Sequence, residues 1–479
     1  MMGTASLQFV AYGLTCAVLS NLHRSLAWRQ FVLLAASVIF LGFFSLNPAA
    51  YLPLAGFLVF GYVCVRLVQG KYRRLFVPAV VLGIALFVWL KKYTFIPGGL
   101  FLQHPYVTLG LSYIFFRVMH LIIDAHDADV PERIGVVSYL NYTLNFTTLV
   151  SGPIQTYPDF ARSQLAVPPL PLNLIVIGHA LRRIIVGFFK VNVLSLLLNM
   201  AKLDALESLT SGGPSGVRIV SGAIVAAIYP LYLYANFSGY IDIVIGLARL
   251  MRIELPENFN RPFSSPNFLI FWNRWHMTLS NWLKTYVYNP IVISCMRRWP
   301  STRAEPAIVA SAFFITFFLI GVWHGQTSEF AFYGILLGLG VSVTKLYQMY
   351  MTARLKRAGY NKLARNPLYV IVARGMTYTW YAFCMLWFWS NWSQLHTMAA
   401  ALSPGEMTAV WALILVVASV ALAAWESTRQ WLLSFEFENR PWLESRYVRT
   451  AWCTALLVIA LTTVSVLNAP APDIVYKAF

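Results

Sequence analysis

Apolar stretches of about 18 to 22 residues, each long enough to cross a bilayer as a helix, recur along the whole of this chain. They fall near 5–22, 29–46, 49–68, 74–91, 105–124, 135–153, 174–199, 216–236, 305–323, 329–350, 367–390, 405–425 and 449–468. This recurrence predicts an all-α polytopic membrane protein forming a single membrane domain over 1–479. Only 11% of the residues are charged, against roughly 25% in a soluble globular chain. The deficit runs the full length, which excludes a soluble protein carried on one anchor. The first stretch, Leu7 to Leu19, has no basic leader and is followed at once by another, so it reads as a retained first helix.

A net charge of +18 in a soluble protein would point to nucleic acid. Here the basic residues fall mostly in short loops between apolar runs, as the positive-inside rule requires, so no nucleic-acid partner is expected. Two clusters, Arg66, Lys71, Arg73 and Arg74, and then Arg354, Lys356, Arg357, Lys362 and Arg365, are expected on the cytoplasmic side. Counting spans onward from the second puts the C-terminus outside. The 16 Trp suit side chains resting at two membrane–water interfaces. The five cysteines are odd in number, widely spaced and within or beside apolar runs, so they read as packing residues.

The block 237–300 interrupts the pattern with charges, prolines and asparagines. Ser265 before Pro266 predicts a helix N-cap with proline in the first helical position. Beyond it Trp272, Trp275, His276, Leu279, Trp282 and Leu283 recur at helical spacing, with Asn273, Arg274, Asn281 and Lys284 off that stripe. This predicts an amphipathic interfacial or re-entrant helix with His276 buried. A second feature is Gly321-Val-Trp323-His324-Gly325, which closes a clean apolar span. An ionisable residue at such depth is a functional candidate, and the flanking glycines permit a tight break. Burial disfavours the imidazolium, so an imidazole held there can accept a proton near pH 7 as a hydroxyl attacks an acyl carbonyl. On residue chemistry alone, a hydrogen-bonded structural histidine remains open for both positions. The other six histidines show no ligand spacing, and His126-Asp127 beside Asp124 reads as a solvated turn, so no metal is expected. Arg117, Asp242 and the Arg182-Arg183 pair are unusual near membrane depth; they line a polar cavity or mark helix ends.

Together, Asn258-Phe-Asn260-Arg-Pro, Phe271-Trp-Asn-Arg-Trp-His-Met-Thr-Leu-Ser280-Asn-Trp282 and Trp323-His324-Gly325 closely resemble the membrane-bound O-acyltransferase (MBOAT) family. The likeness is greatest to its bacterial polysaccharide-acylating branch, of the alginate O-acetylation and D-alanyl transfer types. Leu109-Gly-Leu-Ser-Tyr113, Val150-Ser-Gly-Pro-Ile154 and Phe237-Ser-Gly-Tyr-Ile-Asp242 agree with it, and the resemblance covers roughly 105–350. It implies about 11–14 membrane helices plus interfacial or re-entrant helices around a central funnel. It also implies that His324 is catalytic and His276 supports it, with Trp323, Trp275, Arg274, Asn258, Asn260 and Ser280 near a substrate tunnel. No cofactor is bound; the co-substrate is a cytoplasmic thioester, acetyl-CoA or an acyl carrier protein. The acyl group, acetyl first and D-alanyl as the alternative, crosses to an extracytoplasmic polysaccharide, with a separate extracytoplasmic acyltransferase as a possible partner. One departure is Ile-Val-Ile-Ser after Pro290, where the alginate type has Leu-Gly-Gly, which leans toward other polymer-acylating members.

The tail Ile474-Val-Tyr476-Lys-Ala-Phe479 resembles a short aromatic C-terminal motif of these systems, in which the tyrosine briefly carries the acyl group. A phenol, with a pKa near 10, is easier for a neutral imidazole to activate than a sugar hydroxyl. An aromatic anchor at the interface is the plainer alternative. From a different class, a transporter of a lipid-linked glycan would require inverted repeats and paired broken helices, and no such pattern is visible.

Overall fold

The structure is a computed structural model that describes residues 6–70, 72–127, 133–437, 440–442 and 445–467. Its helices, in chain order, are α1 (Leu7–Asn21), α2 (Leu26–Gly42), α3 (Leu52–Gln69), α4 (Phe76–Leu90), α5 (Leu111–Asp127), α6 (Val136–Leu144), α7 (Phe146–Leu149), α8 (Tyr157–Gln164), α9 (Leu174–Phe189) and α10 (Leu196–Thr210). They continue with α11 (Ser215–Leu250), α12 (Phe268–Trp272), α13 (Met277–Leu283), α14 (Asn289–Arg298), α15 (Glu305–His324) and α16 (Ser328–Ala364). The last four are α17 (Pro367–Trp389), α18 (Trp392–Ala400), α19 (Pro404–Leu433) and α20 (Arg446–Leu467). Among the described residues, eight helical elements are long and apolar enough to cross a membrane, and α1 and α2 are shorter apolar helices. A π-turn at Lys190–Ser195 joins α9 to α10, making one such element over Leu174–Thr210.

Local chemistry sets where the helices begin. Ser25, Asn173 and Asn366 each accept a backbone N–H of the first turn, and Asn391 with Gln394 and Ser403 with Glu406 form full capping boxes. Which face is buried follows from helical spacing. On α4, Ala79, Gly83, Phe87 and Leu90 are buried while Val77, Val81, Leu82 and Ile84 are exposed. A helix that is apolar all round, with half its surface turned outward, belongs in lipid. The chain is an integral membrane protein.

The chain divides into two compact units. The first comprises the described residues of Met1–Asn192, Asn236–Glu257 and Ile459–Phe479. In it the stretch 135–153, expected as one span, is instead two short helices, α6 and α7, broken at Asn145 (φ −42°, ψ 109°). The Asn145 side chain accepts from the backbone N–H and the hydroxyl of Thr147. Arg117, only 2% exposed, donates to the carbonyls of Tyr142 (3.1 Å), Thr143 (2.8 Å) and Thr148 (2.8 Å). Without water to bond the freed carbonyls, the break exists because a guanidinium with five donors fits into it. In the same unit Arg183 binds both Asp242 and Glu257, and Lys190 donates to Asp242 at 2.7 Å. Of the unusual charges, then, Arg117 caps a broken helix and Asp242 joins an ion-pair network.

The second unit comprises Val193–Ala235 and Asn258–Val458. It holds α12 to α19 and both histidine motifs, with α15 packed on α16 and α17 on α19.

Replacing Arg117 by methionine should leave three carbonyls unsatisfied and destabilise the protein by about 3 kcal/mol or more. Thermal denaturation of the purified protein in detergent reads this as a clear fall in Tm, with Arg117→Lys only partly restoring it. A wild-type Tm for Arg117→Met would mean other donors reach those carbonyls.

Candidate active site

The interfacial block departs from the expected continuous helix. Ser265 closes a single 3-10 turn at Pro262–Ser264, and Asn267, in extended conformation, is the N-cap of α12, accepting the N–H of Ile270 at 2.9 Å. Residues before proline favour extended backbone, and Ser265 obeys (φ −83°, ψ 127°). The helix then stops at Asn273 and restarts at Met277.

The cause lies in a short extended segment. Phe259 forms an antiparallel bridge with Trp275. Asn260 N–H donates to the Arg274 carbonyl at 2.9 Å, and Met277 N–H to the Asn258 carbonyl at 3.0 Å. Backbone groups that would have continued the helix are spent on residues 258–260, and His276 is left at φ 44°, ψ 52°. A left-handed conformation costs a non-glycine residue about 1–2 kcal/mol, and strain of this kind persists where the surroundings over-determine it.

Those surroundings centre on Asn258. Its Oδ1 accepts from Thr278 N–H (3.1 Å) and Thr278 Oγ1 (2.9 Å), and lies 3.1 Å from His276 Nδ1. With two donors already fixing that oxygen as an acceptor, Nδ1 carries the proton and Nε2 the lone pair. The His276 ring is 1% exposed. Burial lowers its pKa from 6.5 to about 3, so it is neutral at physiological pH. Trp275 is sandwiched, stacked on Phe271 at 5.6 Å with Phe259 edge-on at 5.1 Å and Tyr381 at 5.2 Å. Ser280 N–H donates to the His276 carbonyl at 3.0 Å. Its side chain, with Trp272, Lys284, Thr316, Ile320 and Lys345, lines a cavity of about 330 Å³. The half-buried Arg274 guanidinium is held below its usual pKa by burial and then by Arg261 and Arg374, with Glu426 opposing.

His324 is the last residue of α15 and is 2% exposed. Its ring meets Trp323 at 4.7 Å, Phe388 edge-on at 5.1 Å and Tyr333 at 6.1 Å. The helix ends at Gly325, whose backbone is extended (φ −154°, ψ 174°) and packs so tightly on the Phe330 ring that a Cβ there would overlap it. Gly321 stays inside the helix and lets α15 approach α16, since a Cβ there would lie 2.3 Å from the Gly334 Cα.

The structure therefore gathers Asn258, Asn260, Arg274, Trp275, His276 and Ser280 into one knot, and Trp323 with His324 into another. Two helices relate them. On α15, Phe317 meets Trp272 at 5.0 Å, and His324 lies seven residues on, about 10 Å along the axis. On α17, Tyr381 meets Trp275, and Phe388, also seven residues on, meets His324. Tyr381, Phe388 and Tyr333 were not singled out from sequence. The heptad spacing of Tyr381 and Phe388 on α17 is a signal indistinguishable from packing, and Tyr333 on α16 carries none. Tyr476 lies outside the described residues. No three His, Cys, Asp or Glu side chains converge among the described residues.

Residues 124–388 match the model of the MBOAT, membrane-bound O-acyltransferase family, a stretch that includes both knots. The chain is 31% identical to a teichoic acid D-alanyltransferase of Bacillus subtilis (strain 168), over 47% of this chain and 56% of that protein. It is 29% identical to a probable alginate O-acetylase of Pseudomonas fluorescens, over 51% of this chain and 46% of that protein. With a peptidoglycan O-acetyltransferase of Helicobacter pylori the identity is 26%, over 66% of this chain and 64% of that protein. The chain thus spans about half the length of the first two relatives.

Unfolding lets His276 titrate near 6.5, whereas the folded state protonates it only near 3. Between those values the unfolded state binds more protons, so this residue's contribution is complete above about pH 6.5 and declines as pH falls, by up to about 1.4 kcal/mol per pH unit. The drop in Tm from pH 7.5 to 4.5 should be smaller in His276→Gln than in wild type. Equal drops would mean that His276 is not held neutral.

Proposed function

The chain belongs to the membrane-bound O-acyltransferase family, and from that premise we propose that it acylates a cell-surface polysaccharide through His324. The donor is a cytoplasmic thioester, either acetyl-CoA or an acyl carrier protein, and the acyl group passes through the protein to an extracytoplasmic acceptor. The protein sits in the bacterial cytoplasmic membrane with its C-terminus outside.

The observation that carries this reading is the position of His324, a buried imidazole walled by Trp323, Tyr333 and Phe388 at the end of an apolar helix. Such a site excludes water, which would otherwise intercept the acyl group. The imidazole takes the proton of the acceptor hydroxyl as its oxygen attacks the thioester carbonyl carbon. The carbon–sulfur bond then breaks, and the imidazolium returns its proton to the departing thiolate. His276, held neutral with Nδ1 toward Asn258, is suited to bind or orient a group rather than to carry charge. Tyr476 is the first acceptor, and its aryl ester, more reactive than an alkyl ester, passes the group on to the polymer or to a separate extracytoplasmic transferase. D-alanyl is the second reading for the acyl group, favoured by the likeness to teichoic acid D-alanyltransferases.

His324→Ala, expressed at wild-type level, should lose ester-linked acyl groups from the surface polysaccharide, read by mass spectrometry of the released acid, which also separates acetate from D-alanine. Unchanged ester would make His324 structural and return a glycan transporter to consideration. Tyr476→Phe should lose the same esters and, with its attacking hydroxyl gone, cleavage of the donor thioester as well; full acylation in that strain would remove the relay and leave the transferase.

A further inference from the structure

The cavity beside Ser280, about 330 Å³ and wholly within the second unit, has two lysines in its wall, Lys284 and Lys345. No acidic side chain lines it. Among the described residues neither lysine takes part in an ion pair. Two ammonium groups on one small cavity with no counter-charge repel each other, and an anion held between them turns that repulsion into two charge-assisted bonds.

The packing places both lysines at one end. Lys284 opens a π-turn, Lys284–Tyr288, that packs on α15, where the Tyr288 ring meets Phe313 at 4.4 Å. On α16, Ser342 donates to the Ala310 carbonyl at 2.8 Å, and Lys345 lies three residues further on. Helical side chains lean toward their own N-terminus, which brings the Lys345 side chain back toward Phe313. From there the cavity follows α15, lined by Phe313, Thr316, Phe317 and Ile320. These recur at helical spacing and share one face, and His324 continues that face one turn past Ile320, about 6 Å along the axis. From Phe313 to His324 the rise is about 16 Å. The far part of α16 carries Arg354, Lys356, Arg357 and Lys362, and Arg297, Arg298 and Arg303 precede α15. The positive-inside rule therefore turns the lysine end toward the cytoplasm.

We propose that Lys284 and Lys345 bind the phosphate of a 4′-phosphopantetheine arm, the part that coenzyme A and an acyl carrier protein share, with the arm lying along α15 toward His324. The assignment of the arm as acyl donor rests on the acyl-transfer reading; the preference of the cavity for a phosphate does not. About 13 bonds join that phosphate to the thioester sulfur, and a chain reaching about 3.6 Å for every three bonds extends about 16 Å. This matches the rise from Phe313 to His324, so a phosphate at the lysines puts the thioester beside the imidazole. Lys284 and Lys345 are thereby specificity-determining residues: they read the anion, while the apolar wall of Phe317 and Ile320 accepts the arm.

The test titrates the purified full chain, in phosphatidylcholine nanodiscs, by calorimetry with 4′-phosphopantetheine, pantetheine and glycerol 3-phosphate. The first two differ only in the phosphate, and the third is a lipid-like phosphate without the arm. Wild type should bind 4′-phosphopantetheine at least about tenfold more tightly than either of the others. The double variant Lys284→Gln/Lys345→Gln should bind 4′-phosphopantetheine and pantetheine alike, and Lys284→Arg/Lys345→Arg should keep the preference. Equal binding of pantetheine and its phosphate by wild type, no binding of either, or an undiminished preference in the Gln variant overturns the proposal. Glycerol 3-phosphate binding as tightly as 4′-phosphopantetheine overturns the arm and makes the site one for a lipid headgroup. If the double Gln variant does not fold, either single substitution decides by the same ratio. Polymer esters in His324→Ala read the other proposal separately: esters retained there remove the acyl-transfer reading, whereas a missing phosphate preference in wild type removes only this site.

Discussion

In a chain that lives in hydrocarbon, each backbone N–H and C=O has to be bonded by the protein itself. Uninterrupted helices meet this requirement without help, and most of the molecule consists of them. Function needs interruptions, and each one exposes polar groups that something must satisfy. The two clearest breaks are solved by single side chains: Arg117 takes three carbonyls around the Asn145 break, and Asn258 takes the donors released between α12 and α13. These residues look like polar exceptions in apolar surroundings. Physically they are what allows the exceptions to exist.

The same constraint shapes the site. Pairing residues 258–260 with 274–277 forces His276 into a left-handed conformation and fixes which of its nitrogens bears the proton. At the other knot, the helix that carries His324 ends at Gly325, where the Phe330 ring leaves no room for a side chain. Because α15 and α17 both carry contacts to each knot two turns apart, the offset between the two histidines is set by helices rather than by loops. Sites held on regular elements keep their geometry better than sites held on loops.

Much of this was legible beforehand. Apolar length alone marked the spans, since a helix rises by a fixed amount per residue and the membrane has a fixed thickness. The burial of Trp272, Trp275, His276, Leu279 and Leu283 also followed from their spacing, although the helix assumed to carry them is broken. Periodicity reports which side chains face inward; it does not report where hydrogen bonds leave the ladder. Ser265-Pro266 mimicked a helix start for the same reason: its local preference is real, but the helix begins two residues later, where Asn267 caps the N–H of Ile270. Nothing in the spacing of Lys202 distinguishes it from a lysine at a helix end; only the structure shows its ammonium over the rings of Tyr229 and Trp389, 27 and 187 residues away in sequence.

By itself, then, the sequence determined a membrane-embedded helical protein, its two histidine motifs and the family they resemble, because those properties depend on composition, period and contiguous residues. Only the tertiary structure decided that 135–153 is not one span, that His276 sits at a strained break with Asn258 as its partner, and that Lys202 stands beside Trp389 and Tyr229. Each of these depends on a contact between residues far apart in the chain, and such contacts are selected by how whole helices pack, which no local pattern encodes.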